Sequence, residues 1–143
     1  HIATGGYGGI MEAAAKGAVL YNVRRIGVTC PNHSNRMPNP YINEEIVTPT
    51  YLERLQKLIE ISDGYIVLPG GTGTLLELSA IWALTERKII KEKPIICIGE
   101  QWGELWQLFA YYNETVVDNP SLLRIVNSYD EAILCIDNSI NSF

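Results

Sequence analysis

The chain is predicted to be an α/β protein of the Rossmann-like, doubly wound type, a parallel sheet flanked by helices. Three observations predict it. Short β-rich runs alternate with helical runs along the 143 residues, the rhythm of parallel strands joined by helical crossovers. Tyr65–Leu68 and Pro94–Ile98 are apolar without alternation, as strands covered on both faces are. Two glycine-rich segments, Thr4–Gly9 and Pro69–Thr74, stand where a strand passes into a helix, the position at which open α/β sheets bind ligands.

Each element can be justified in turn. His1–Thr4 reads as the tail of a strand, and Gly5–Gly9 opens a helix from about Ile10 to Tyr21, where Ala13, Ala14, Ala15 and Ala18 allow close packing. Arg25–Cys30 is a β-rich run. Pro31–Pro49 is polar, carries four prolines and is expected to be a long loop, either a lid or the cover of a subunit contact. Thr50–Ile61 is a helix whose buried stripe is Leu52, Leu55, Leu58 and Ile59. After the strand Tyr65–Leu68, a long helix is expected over Thr74–Lys88. The strand Pro94–Ile98 and an aromatic-rich helix over Glu104–Tyr112 follow. Leu123–Val126 is a strand, and Ser128 with Glu131 forms a capping box for a last helix. No linker, repeat or low-complexity stretch interrupts the pattern, so residues 1–143 are expected to form one domain.

Composition narrows the function. Net charge is −5 and the basic residues are scattered, which argues against a nucleic-acid-binding surface. No apolar run approaches the length of a membrane span, and no signal peptide is visible, so the cytoplasm is the expected compartment. Cys30, Cys97 and Cys135 are far apart among apolar residues and read as buried reduced thiols. With only His1 and His33 besides, no metal site is expected. The aromatic set Trp102, Trp106, Phe109, Tyr111 and Tyr112 suits a core or a dimer interface better than a base-stacking platform.

The chemistry concentrates at the second glycine loop. Gly70, Gly71 and Gly73 let the backbone turn tightly and let an anion approach without Cβ interference. The helix that follows aims free N–H groups and the positive end of its dipole at that anion, and Thr72 and Thr74 add hydroxyls. The segment lacks the Gly-Lys-Ser/Thr of a Walker loop. Gly5–Gly9 lacks the third glycine of a dinucleotide fingerprint, and no acidic residue ends the strand Arg25–Cys30, so NAD is disfavoured. Glu77 has two readings: the partner of Thr74 in a capping box, or a carboxylate that works on the molecule the loop holds. Arg54 has no carboxylate partner on its own helix, where Glu53 is expected to pair with Lys57. It is either solvated or aimed at a distant anion.

Pro69-Gly-Gly-Thr-Gly-Thr-Leu-Leu-Glu77 resembles the P-G-G-x-G-T-x-x-E signature of the LOG family, the cytokinin-activating phosphoribohydrolases also labelled lysine decarboxylases. Arg54 resembles that family's active-site arginine, and Thr4–Met11 its first glycine loop. The resemblance implies a homodimer that splits nucleoside 5′-monophosphates of the AMP or cytokinin riboside type into free base and ribose 5-phosphate, without a cofactor. It implies catalytic roles for Arg54 and Glu77. It also implies a nucleotide- and phosphate-binding set of Gly5, Gly6, Gly8, Gly9, Met11, Gly70, Gly71, Thr72, Gly73 and Thr74. Tyr51-Leu-Glu-Arg54 departs from the family's usual Met-His-Glu-Arg, and Glu12 replaces a glycine. Family members carry a further strand–helix unit, on the order of 30–40 residues, before the first loop, and this chain is expected to lack it. A pyridoxal decarboxylase is excluded on chemistry, since Lys16, Lys57, Lys88, Lys91 and Lys93 sit at solvated helix or loop positions. The competing reading is a non-catalytic carrier or sensor of a phosphorylated ligand such as molybdenum cofactor or a nucleotide. It would need the glycine loops but not the Arg54 and Glu77 pair.

Overall fold

The structure, a computed structural model, describes residues 1–31, 37–112 and 122–140. The stretch 32–36 of the expected long loop, with His33, lies outside them. The chain falls into two compact units, His1–Ser62 and Asp63–Phe143. The α/β, Rossmann-like class holds, but the strands form two three-stranded parallel sheets, one in each unit, where one sheet was expected.

In the first unit the order is β1 (Ile2–Thr4), α1 (Ile10–Gly17) with a short 3-10 turn over Ala18–Leu20, β2 (Arg25–Thr29), β3 (Glu44–Val47) and α2 (Tyr51–Ile61). β2 is central, with Thr4 beside Gly27 and Thr29 beside Val47. α1 packs on β1, and α2 packs on β1 and β2. Ala15, Ile26, Val28, Leu55 and Ile59 are buried.

β3 corrects the expectation of an unbroken loop over residues 31–49. Its sequence, Glu44-Glu45-Ile46-Val47, hides a strand because its polar residues are bonded to β2 and its approach. Arg24 Nε and Nη2 donate to Glu44 Oε2 and Oε1 at 2.8 and 2.7 Å, and Thr29 Oγ1 donates to Glu45 Oε1 at 2.6 Å. Charged side chains on an end strand also discourage pairing with a further strand.

α2 begins in a capping box the sequence reading missed. Thr50 Oγ1 accepts from Glu53 N, and Glu53 Oε2 accepts from Thr50 N. Glu53 therefore does not pair with Lys57, which bonds Glu60 at 2.7 Å instead. Leu52, assigned to the buried stripe, is 70% exposed, and Arg54 takes its place beside Leu55 and Ile59.

The second unit runs β4 (Tyr65–Val67), α3 (Thr72–Glu86), β5 (Ile95–Ile98), α4 (Glu100–Tyr112), β6 (Leu123–Val126) and α5 (Tyr129–Ile140), with β5 central. Ile96, Ile98, Val126, Ala132 and Cys135 form its core, joined by Leu68 and Ile136. β5 is buried throughout, as its apolar run requires, but Ile66 of β4 is exposed, against the expectation for that strand. Ser128 accepts from Glu131 N as a cap should, but the Glu131 carboxylate accepts from Asn127 N, one residue before the Ser128 N–H that a capping box uses.

All three cysteines are unpaired and buried, and burial pushes the Cys97 thiol up to about 12. Trp102 is buried, Trp106 stacks on Trp82 at 5.0 Å and Phe109 meets Trp82 edge-on at 5.7 Å, whereas Tyr111 and Tyr112 are exposed. Among the described residues no helix is long and apolar enough to cross a membrane.

Candidate active site

In the first unit, the functional candidates gather at the carboxyl ends of the parallel strands, where α/β folds place ligands. The chain leaves β1 into Gly5–Gly9. Gly5, Gly6 and Tyr7 are buried, while Gly8 and Gly9 are exposed. Gly6 has φ +74°, and a Cβ there would meet the Gly27 Cα and the Thr29 methyl. A Cβ on Gly5 would meet the Arg54 guanidinium and the Met11 sulfur. These two glycines are therefore demanded by packing inside the unit. Gly9 caps α1 without a side-chain hydrogen bond, which leaves the first-turn N–H groups of that helix without a capping side chain.

Arg54 is 4% exposed, so the solvated reading fails. Its Nε donates to Val28 O at 2.8 Å, and the guanidinium lies 5.3 Å from the Tyr51 ring centre and 5.9 Å from that of Tyr7. The guanidinium is thus held at the end of β2 against Gly5, flanked by two aromatic rings. Tyr51, which departs from the family pattern, forms one of those walls.

Tyr7 and Asn39 are site residues that sequence reasoning passed over. Tyr7 OH accepts from Cys30 N at 2.9 Å. Asn39, in the segment read only as loop, is 5% exposed and donates to the carbonyls of Gly6 and Tyr7. A lone Asn between two prolines in a polar stretch carries no periodic signal, so only its burial reveals it.

In the second unit, α3 begins at Thr72, two residues earlier than expected, with Gly71 as its N-cap and no side-chain cap. Leu75 N donates to Gly71 O at 3.0 Å, closing the first turn. This corrects the capping-box reading of Thr74 and Glu77: Thr74 is already the third helical residue, and Glu77 stands in the second turn. The N–H groups of Thr72, Gly73 and Thr74 are the ones without an intrahelical partner, aimed outward from the helix start. Gly70, Gly71 and Thr72 are exposed, and a Cβ on Gly71 would meet nothing within 4 Å. Gly70 is pressed against the Thr74 side chain.

Glu77 is half-buried, one helical turn beyond Gly73 and Thr74. Helical side chains lean toward the N-terminus, so Glu77 covers the turn that carries the free N–H groups. That geometry explains the spacing from the loop to the glutamate without a capping role. The unit thus offers donors for an anion and a carboxylate beside them.

None of the five lysines is buried. Lys57 pairs with Glu60, and Lys16 and Lys93 lie over the rings of Tyr41 and Tyr65. No lysine has the desolvated setting of a Schiff-base nucleophile.

The family described as "Possible lysine decarboxylase" matches residues 11–138. The pyrimidine/purine nucleotide 5′-monophosphate nucleosidase of Escherichia coli (strain K12) is 33% identical over 127 residues, covering 82% of this chain and 28% of that protein. A cytokinin riboside 5′-monophosphate phosphoribohydrolase of Mycobacterium tuberculosis (strain ATCC 25618 / H37Rv) is 43% identical over 72 residues, 50% of this chain and 37% of that protein. Another of that name, from Mycobacterium marinum (strain ATCC BAA-535 / M), is 29% identical over 136 residues, 90% of this chain and 72% of that protein. The chain spans only 28% of the length of the E. coli relative. The match over most of its residues assigns this chain to the LOG family, whose "lysine decarboxylase" description its lysines do not support.

Proposed function

We propose that the chain hydrolyses the N-glycosidic bond of nucleoside 5′-monophosphates, of the AMP or cytokinin riboside type, giving free base and ribose 5-phosphate. The observation that carries this reading is the exposed, uncapped start of α3 with Glu77 one turn beyond it. A phosphate needs the former, and a reacting sugar next to that phosphate needs the latter. The names of the relatives support the same reaction.

In this mechanism the N–H groups of Thr72, Gly73 and Thr74 hold the 5′-phosphate, with Gly71 leaving room for it. In the first unit, the loop Gly5–Gly9 with Met11 is on this reading a nucleotide-binding segment. Water adds to the ribose C1′ as the bond to the base nitrogen breaks. The electron pair of that bond leaves with the base, which gains a proton, and the water loses one. Glu77 orients the water or a ribose hydroxyl and stabilises positive charge on the sugar. Arg54 orients the substrate and offsets its negative charge.

Residues 1–143 act as one functional domain and need no cofactor. The protein works in the cytoplasm, where its three unpaired thiols stay reduced. A second copy of the chain pairs with it over the apolar surface of α3 and α4, where Leu75, Leu76, Leu108 and Tyr111 are exposed. The test is base release from AMP and a panel of other monophosphates, followed by chromatography. Wild type should release base, and Glu77→Ala and Arg54→Ala should each lose at least about a hundredfold in rate. Binding of AMP without release, unchanged by Glu77→Ala, would replace the enzyme with the carrier or sensor.

A further inference from the structure

Two carbonyls of the first glycine loop, those of Gly6 and Tyr7, are engaged by one buried residue. Asn39 directs three donors at the loop: its backbone N–H to Gly6 O at 2.8 Å, and Nδ2 to Gly6 O at 3.1 Å and to Tyr7 O at 3.0 Å. Its Oδ1 accepts from Tyr41 N at 3.1 Å, which fixes the direction in which the amide faces. A trans peptide sets each C=O antiparallel to the next residue's N–H, and no peptide here is cis. Turning the carbonyls of Gly6 and Tyr7 toward Asn39 therefore turns the N–H groups of Tyr7 and Gly8 the opposite way.

For an anion this orientation is decisive, because a carbonyl aimed at phosphate repels it and an N–H attracts it. The positive φ of Gly6 lets the chain take this path, and the Tyr7 hydroxyl anchors the loop from its other side at Cys30 N. Tyr7 also lays its ring beside Arg54, so the same lock steadies one wall of that site.

We propose that Asn39 is a positioning residue for phosphate binding: by holding the Gly6 and Tyr7 carbonyls it presents the Tyr7 and Gly8 N–H groups to the substrate's 5′-phosphate. The inference rests on the phosphoribohydrolase reading for the identity of the substrate, and on the hydrogen bonds alone for the role of Asn39.

The experiment uses the full-length protein with Asn39→Leu, nearly isosteric and uncharged but without side-chain donors, and Asn39→Ser, which keeps one side-chain donor. KM and kcat for AMP are measured with the inhibition constant of ribose 5-phosphate and the affinity for adenosine, which has no phosphate. For Asn39→Leu, KM and the ribose 5-phosphate constant should rise together by about tenfold or more, with kcat within about threefold and adenosine affinity unchanged. Asn39→Ser should fall between Asn39→Leu and wild type, and it carries the test where Asn39→Leu does not fold. Unchanged KM and ribose 5-phosphate inhibition in a folded variant would overturn the inference, as would a parallel loss of adenosine affinity. If wild type releases no base, dissociation constants for AMP and adenosine take the place of KM. Weaker AMP binding with adenosine unaffected then upholds Asn39 while the phosphoribohydrolase reading fails, and equal loss of both overturns Asn39 as well.

Discussion

The two glycine loops look alike in the sequence, yet Gly5 and Gly6 of the first and Gly71 of the second are glycine for opposite reasons. In the first unit, Gly5 and Gly6 are buried, and any Cβ would strike Arg54, Gly27 or Thr29. In the second unit, Gly71 is exposed and a Cβ there would meet nothing. Gly5 and Gly6 are glycine because the protein's own atoms occupy the space beside them. Gly71 is glycine, on the proposed function, because the space beside it must stay open for a ligand. Glycine content alone therefore does not identify a binding loop; what a side chain would touch does.

The largest expected effect breaks the comparison open. Gly6→Ala forces a Cβ onto a left-handed residue and against Gly27, and should cost on the order of 3 kcal/mol in chemical denaturation. Gly71→Ala, at φ −95° and facing open space, should cost about 1 kcal/mol or less while raising KM for AMP. If both glycines behaved alike in stability, the distinction between the loops would be lost.

A second pair sharpens it at the two proposed catalytic residues. Arg54→Ala removes a buried side chain and leaves Val28 O without its donor, so it should cost roughly 2–4 kcal/mol as well as activity. Glu77→Ala acts on a half-buried residue and should lose activity for about 1 kcal/mol of stability or less. Denaturant midpoints beside turnover numbers separate the two. A Glu77 variant as unstable as the Arg54 variant would make the glutamate a structural residue.

The smallest effect lies at the surface of the first unit. The hydrogen bond from Arg24, with its charge, holds the Glu44 carboxyl below the usual carboxylate range, and both groups are in solvent. The folded state then keeps the charge where the unfolded chain would take a proton. The contribution is whole above the unfolded value and disappears as pH falls through the folded one. Glu44→Gln should give a slight loss of stability at neutral pH that vanishes in acid and shrinks in added salt. A loss that persisted in acid would move the role of Glu44 from charge to packing.

Much of this was legible beforehand where local rules and tertiary packing agree. Leu123–Val126 was placed to the residue, and Ser128 capped α5 as expected. Reading failed where a residue's partner is distant in sequence. β3 looked like loop because its glutamates are bonded to Arg24 and Thr29, some 16–20 positions away. The start of α3 was placed two residues late because Thr74 resembled a cap, whereas Gly71 is the N-cap and the helix begins at Thr72.

The sequence by itself determined the α/β rhythm, the two glycine loops and the pairing of Arg54 with Glu77 as candidates, because periodicity and motif spacing are local properties of a chain. Only the tertiary structure decided that Arg54 is buried against Gly5, that Asn39 takes the loop's carbonyls, and that Gly6 and Gly71 answer to different demands. Those outcomes depend on which atoms meet across a fold, and a glycine's missing Cβ says nothing until its neighbours are in place.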